Sequence, residues 1–297
     1  MARKSKDGFR LWYVLLPVGL LIAAAAALFF TGKTGPSGEN EWITLFKAYG
    51  GDAQAQYVSG LPFDRRRGGS NDEARAVQWY QKAADQGYAE AQIALADLYN
   101  DHKAEADRDK AFALYSAVKA PTPYVKRRLS EFYMNGRGSV KNDIIRAENL
   151  LREAAEGGDP VAEKQWAQRL QATGDRDGAK KLFGQCADRG DPECITSLAY
   201  IYYNHGERPK SVEYFNRAAL RGYGDAQIRL AMMYFNGLSV PKDRAESYKW
   251  ALIASKGPKG TPPVAEAVSA LSFLEAQLTP EELTEGKARA AAFKVTP

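Results

Sequence analysis

Residues able to do chemistry are few in this chain of 297 residues. Its two cysteines, Cys186 and Cys194, stand eight positions apart in the stretch QCADRGDPEC. Thiols so placed can form a disulfide, cycle as a redox pair or bind a metal, but a redox pair usually reads C-x-x-C and a metal site needs further ligands. The two histidines, His102 and His205, fall elsewhere, in segments that read as loops between helices. With no nucleophile motif beside them, isolated imidazoles do not build a Ser-His-Asp arrangement. No H-E-x-x-H and no P-loop occurs, and NGRGSV, residues 135–140, reads as a turn without a phosphate signature. Glu281 and Glu282 fit the first turn of a helix, where the helix dipole favours acid. Arg65, Arg66 and Arg67 form the sharpest charge run, readable as a solvated loop or as a contact for anionic lipid or an acidic partner. The sequence reads as a non-enzyme, with no cofactor, metal or small-molecule substrate implied.

The elements that position these residues begin with a membrane signal. Residues 11–30, LWYVLLPVGLLIAAAAALFF, hold no charge, and twenty helical residues span about 30 Å of hydrocarbon. Three of the five net positive charges precede them, so the positive-inside rule leaves residues 1–10 as a cytoplasmic tail and exports the rest. A cleaved signal peptide is the rival reading, opposed by Leu28, Phe29 and Phe30, which prolong the apolar run past the alanines. Residues 31–40, TGKTGPSGEN, read as a polar tether. The charge left over, +2 of a total of +5, is too mild for a nucleic-acid binder.

Beyond residue 40 the sequence repeats itself. A small residue recurs at Ala55, Ala91, Val125, Ala162, Cys194 and Ala226, with spacings of 36, 34, 37, 32 and 32. Four residues on stand Ser59, Leu95, Leu129, Trp166, Leu198 and Leu230, and eight on Phe63, Tyr99, Tyr133, Leu170, Tyr202 and Tyr234. Such steps draw one core stripe along a helix. Each of these helices is followed by a second, as in ARAVQWYQKAADQG (74–87), where Trp79, like Trp250 further on, reads as core. At the turn between repeats, small residues pair at a separation of eight: Ala83/Ala91, Ala117/Val125, Ala154/Ala162, Cys186/Cys194 and Ala218/Ala226. The cysteines therefore replace an alanine pair where two helices come close, and a structural disulfide between them is expected in an exported chain. Thr122-Pro123, Asp159-Pro160, Asp191-Pro192 and Thr279-Pro280 each place a capping oxygen before proline at a helix start. Pro62 should cut the first helix short. Residues 41–51 read as an N-terminal cap helix and 262–293 as a C-terminal cap pair.

AQIALADLY (91–99), AQIRLAMMYFNG (226–237), WYQKAADQGYAEAQ (79–92) and LTPEEL (278–283) resemble the motifs of Sel1-like repeats, relatives of the tetratricopeptide repeats. The resemblance covers residues 41–293, and the cysteine pair is similar to those of the family's cysteine-rich secreted branch. It implies an all-α, right-handed solenoid of antiparallel helix pairs, with about six repeats between caps, acting as a protein-interaction scaffold. Combined with the anchor, the expectation is a single-pass protein of the bacterial inner membrane with a periplasmic scaffold or regulator that binds another protein. The alternatives are an envelope enzyme acting on cell-wall material and a binding module for polysaccharide or its assembly machinery.

In such repeats the first helix of each pair lines the concave face, so positions one before and two, six and nine after the small residue should face a partner. They are Tyr124, Arg127, Glu131 and Met134; Val161, Lys164, Gln168 and Gln171; Glu193, Thr196, Tyr200 and Tyr203; and Asp225, Ile228, Met232 and Phe235. Tyr200, Tyr203, Ile228, Met232 and Phe235 make an apolar end of the kind that carries hot spots, while Arg127 and Lys164 would orient an acidic segment. The rival reading packs the apolar members against the neighbouring repeat. The basic residues before residue 11 generate one test of topology. A reporter active only in the cytoplasm, fused after Pro297, should be silent, and activity there would overturn the exported orientation.

Overall fold

A computed structural model describes residues 41–295 apart from Asn71, Lys103 and residues 259–260, so the tail, anchor and tether expected over residues 1–40 lie outside the described residues. The described residues form fifteen α-helices and no strand. A cap helix α1 (Glu41–Tyr49) precedes the pairs α2 (Ala53–Gly60) and α3 (Glu73–Asp85), α4 (Ala89–Asp101) and α5 (Glu105–Ala117), and α6 (Pro123–Asn135) and α7 (Ile144–Glu156). Then come α8 (Pro160–Thr173) and α9 (Arg176–Asp188), α10 (Pro192–Asn204) and α11 (Arg208–Leu220), α12 (Gly224–Asn236) and α13 (Arg244–Ala254), and the closing pair α14 (Pro262–Gln277) and α15 (Pro280–Ala292). Among the described residues no helix is long and apolar enough to cross a membrane. The chain divides into two compact units between Leu150 and Leu151.

Local sequence sets the helix ends. The side chains of Thr122, Asp159, Asp191 and Thr279 accept from backbone N–H groups of the turn that follows, with proline next in each case. Glu282 completes a capping box with Thr279, which stabilises a helix start by about 1 kcal/mol. The proline at position 62 ends α2 after eight residues, and Leu61–Phe63 continues as a single 3₁₀ turn.

Second helices bury a stripe of small, large and small side chains. In the first unit these are Ala76, Tyr80 and Ala83, then Ala111, Tyr115 and Val118; in the second they include Ala179, Phe183 and Cys186, then Ser211, Phe215 and Ala218. The large residue fills the space between paired helices and the small ones let the backbones close. Removing one such fully buried ring costs about 3–5 kcal/mol. All six small residues of the first helices are buried as well.

Four joints between repeats share one backbone device. A glycine with positive φ (Gly87, Gly158, Gly190 or Gly222) ends each second helix. The residue that follows donates its N–H back to the small residue's carbonyl, at 3.1 Å for Tyr88 to Ala83, 3.1 Å for Asp159 to Ala154, 3.4 Å for Asp191 to Cys186 and 3.2 Å for Tyr223 to Ala218. This is a Schellman-like stop that only glycine adopts without strain. The remaining joint corrects the expected pairing of Ala117 with Val125. No glycine is present there, Ala117 is exposed, and Val118 is buried in the place that alanine holds elsewhere.

Cys186 and Cys194 lie at disulfide distance, with S–S 1.97 Å and Cα–Cα 5.8 Å, and both are buried. They link the end of α9 to the first turn of α10. Closing so short a loop contributes at most about 2.5 kcal/mol. Exchanging both cysteines for alanine, the pair found at other joints, should therefore lower the unfolding free energy from urea titration by no more than this while leaving the helices intact by circular dichroism. Protein from an oxidising compartment, denatured without reductant, should take up no maleimide. Two labelled thiols per chain would overturn the assignment.

Candidate functional site

Arg65, Arg66 and Arg67 are exposed, as a solvated loop requires, and two of them also reach back to one buried carboxylate. Asp64, 1% exposed, accepts from Arg66 at 3.2 Å, from the Tyr80 hydroxyl at 3.2 Å and pairs with Arg67 at 3.4 Å. Burial alone would raise the Asp64 carboxyl, but hydrogen bonds and charge from Arg66 offset this and hold it below the usual carboxylate range. Arg66 also donates to the Ala94 carbonyl at 3.1 Å. Two of the three arginines thus brace a buried carboxylate between α2, α3 and α4, and of the run Arg65 makes no such pair.

The expected groove residues of α6 gather around groups that the sequence reading missed. Tyr115 and Tyr124 both donate to Asp97, Tyr124 at 2.6 Å. Arg128 donates to the Tyr115 hydroxyl at 3.2 Å and to Glu131 at 2.8 Å, and Arg127 donates to Glu131 at 2.7 Å. Burial first, then Asp97, pushes the Tyr124 phenol up to about 12. Asp97 was within reach of the sequence, because the offset of six from the small residue, applied to Ala91 of α4, lands on it. In the second unit Lys164 donates to Glu193 at 2.6 Å and Gln168 to the same carboxylate at 3.2 Å. The charges expected to orient an acidic segment are therefore engaged within the chain, and Arg127 and Thr196 are buried. Val161, Gln168 and Gln171 are exposed.

The two tyrosines of α10 behave differently from the apolar residues of α12. Tyr200 packs edge-on against buried Phe215, ring centroids 5.0 Å apart, and its hydroxyl accepts from Arg229 at 3.3 Å. The Arg229 guanidinium lies 4.8 Å from the Tyr200 ring and 5.6 Å from the Tyr203 ring, and Arg208 covers Tyr203 at 4.1 Å. These tyrosines join neighbouring repeats. Ile228, Met232 and Phe235 instead line a cleft of about 790 Å³ between α12, α13 and α14. Ile228 and Leu274 are buried there, whereas Met232 is 45% and Phe273 53% exposed. An apolar cleft of this size suits an apolar guest. No sequence pattern marked the contribution of α14, whose face reads as an ordinary cap.

The two sulfurs and an oxygen of Asp191 lie within 4.8 Å of one another. Asp191 spends one oxygen on the N–H groups of Glu193 and Cys194, and cysteines bonded to each other offer no thiolate, so the cluster is a capped staple.

Comparison with known proteins follows the same repeat phase. Sel1 repeats match at residues 53–88, 89–117, 124–159, 192–223 and 224–257, more than half of the chain. The chain belongs to the Sel1 repeat family. Residues 160–191 fall outside those matches and form the helix pair α8 and α9. Sel1 repeats act as protein-interaction scaffolds. The chain is similar to "Alginate biosynthesis protein AlgK" of Pseudomonas putida, 34% identical over 34% of this chain and 21% of that one. It is also similar to AlgK of Pseudomonas aeruginosa, 34% identical over 37% of this chain and 24% of that one. The match thus spans under a quarter of these curated relatives. Two crystal structures share the fold: c5321, a protective antigen of uropathogenic Escherichia coli strains with an SLR fold (TM-score 0.57, 19% identity, 85% of this chain and 63% of that one), and a Sel1 repeat protein from Oxalobacter formigenes (TM-score 0.55, 21% identity, 90% and 89%).

One histidine of this Sel1 array bridges two repeats. His102 faces Asp107 at 2.9 Å and Glu73 at 2.6 Å, with no nucleophile among these partners. The hydrogen bond to Asp107, then that to Glu73, raises its pKa above the ordinary value of 6.5. Because the folded value is raised, the bridge stabilises fully below the unfolded pKa and is lost as pH rises through the folded one. Urea midpoints of the chain should therefore fall as pH rises above the ordinary histidine value of about 6.5, and His102→Gln should flatten that slope. An unchanged slope in the variant would show that another group titrates.

Proposed function

We propose that the chain is a membrane-anchored, extracytoplasmic interaction scaffold or regulator of the bacterial envelope, and that it binds another protein without a catalytic step. The apolar cleft of α12, α13 and α14 carries this reading. Met232 and Phe273 stand open to solvent over a buried apolar floor, the arrangement that interface hot spots favour. The polar clusters elsewhere are spent on joining repeats, as Lys164 with Glu193 and Arg128 with Tyr115 illustrate. Anchoring by residues 11–30 and a periplasmic location rest on the charge asymmetry around that apolar run.

A second reading places the partner in a polysaccharide-biosynthesis assembly. The likeness to the two AlgK proteins, named for alginate biosynthesis, favours it. It is compatible with the first, since a scaffold serves whichever assembly its partner belongs to.

Crosslinking capture from membranes tests the cleft. Met232→Ala combined with Phe273→Ala should weaken capture at least about tenfold, with a melting temperature close to that of the unaltered chain because both side chains are half exposed. Tyr200→Ala combined with Tyr203→Ala should instead lower the melting temperature, since Tyr200 braces Phe215 and Arg229. Undiminished capture by the first variant would overturn the cleft as the docking site.

A further inference from the structure

The cleft has a direction as well as an apolar floor. At one end Ile228 of α12 clusters with Ala254 and Ala267. At the other the rings of Phe235 and Phe273 meet with centroids 5.4 Å apart. The two walls, α12 and α14, therefore run the same way, with Ser247 and Ala251 of α13 between them. From Ile228 to Phe235 is seven residues, about 10.5 Å of helix. That is the reach from i to i+7 on a guest helix, which would set three apolar side chains along the floor at i, i+3 or i+4, and i+7. An extended strand puts same-side residues about 6.8 Å apart and would seat only two in that length.

Charge at the rim distinguishes the ends. Glu266 sits beside Ala267 at the Ile228 end and lines the cleft. Lys242 and Arg244 lie 5.8 Å and 5.9 Å from the Phe235 ring at the far end. A helix carries partial positive charge at its N-terminus and partial negative charge at its C-terminus. Its favourable orientation starts over Glu266 and finishes near Lys242 and Arg244.

Resting on the cleft as the docking site, we infer that its occupant is a short amphipathic helix of another protein, seated parallel to α12 and α14 with its N-terminal end at Glu266. Basic or uncharged residues belong at that end and acidic ones at the other. The guest chooses its orientation through charge and its register through the three apolar anchors.

The test uses the full-length protein in its own membranes, with a photo-crosslinking amino acid placed singly at Glu266 or at Phe273, both exposed. Mapping the crosslinked peptides by mass spectrometry should give one segment of one protein. The site reached from position 266 should precede the site reached from position 273 by about seven residues. Glu266→Lys should weaken capture by the Phe273 probe at least about threefold and Glu266→Gln by less. The reverse order of sites, a separation of two to four residues, or indifference to Glu266→Lys would overturn the helix and its orientation while leaving the cleft as a protein-docking site. Crosslinks to lipid, to a second copy of this chain, or to no protein at all would overturn both.

Discussion

Close approach of two helices at each joint is the constraint on which the rest depends. A helix pair can turn back on itself within a few residues only where side chains at the crossing are small, and Ala83 with Ala91, Ala154 with Ala162, and Ala218 with Ala226 meet that need. Glycine in the left-handed region then directs the next N–H onto the small residue's carbonyl, which gives two backbone groups at the helix end a partner. An aromatic or Leu residue three positions earlier, Tyr80, Leu151 or Phe215, fills the space that small residues leave. A larger residue at a joint would overpack it. The disulfide follows from the same geometry, because a position that brings two alanines together brings two thiols within bonding distance, and the linkage adds to a joint already shaped by packing.

Once the joints set the pitch, polar side chains on the first helices fall opposite one another in consecutive repeats. Asp97 of α4 meets Tyr124 of α6, Lys164 of α8 meets Glu193 of α10, and Tyr200 of α10 meets Arg229 of α12. Half-buried charge is costly unless paired, so these residues are coupled to the array's own order. The chemistry left open to a guest is then mainly apolar, in the cleft where α12 faces α14. There the repeat pattern gives way to a cap helix, and Met232 and Phe273 lack the polar partner that the corresponding position has in earlier repeats.

The sequence by itself determined the repeats, because small, leucine and aromatic residues recur at helical steps and those steps report burial on one face. It determined the helix starts through Asp-Pro and Thr-Pro, the early end of α2 through Pro62, and the cysteine pairing through its alanine counterparts. Each is a local rule, or a rule repeated often enough to read as one. Where the local device changes, reading fails: without glycine before Pro121, nothing in the sequence shows that Val118 replaces Ala117 at the joint. Residues 160–191, with Trp166 and Leu170 in place of leucine and tyrosine, still pair as helices because Ala162, Ala179 and Phe183 keep the small and large pattern. Tertiary structure alone decided which groove residues remain available. Whether Lys164 is free or tied to Glu193, whether Arg66 reaches back to Asp64, and whether Phe273 joins Phe235 depend on side chains that lie 29, 2 and 38 positions apart. Offsets along one helix give the direction of a side chain, but its partner comes from the packing of a different helix.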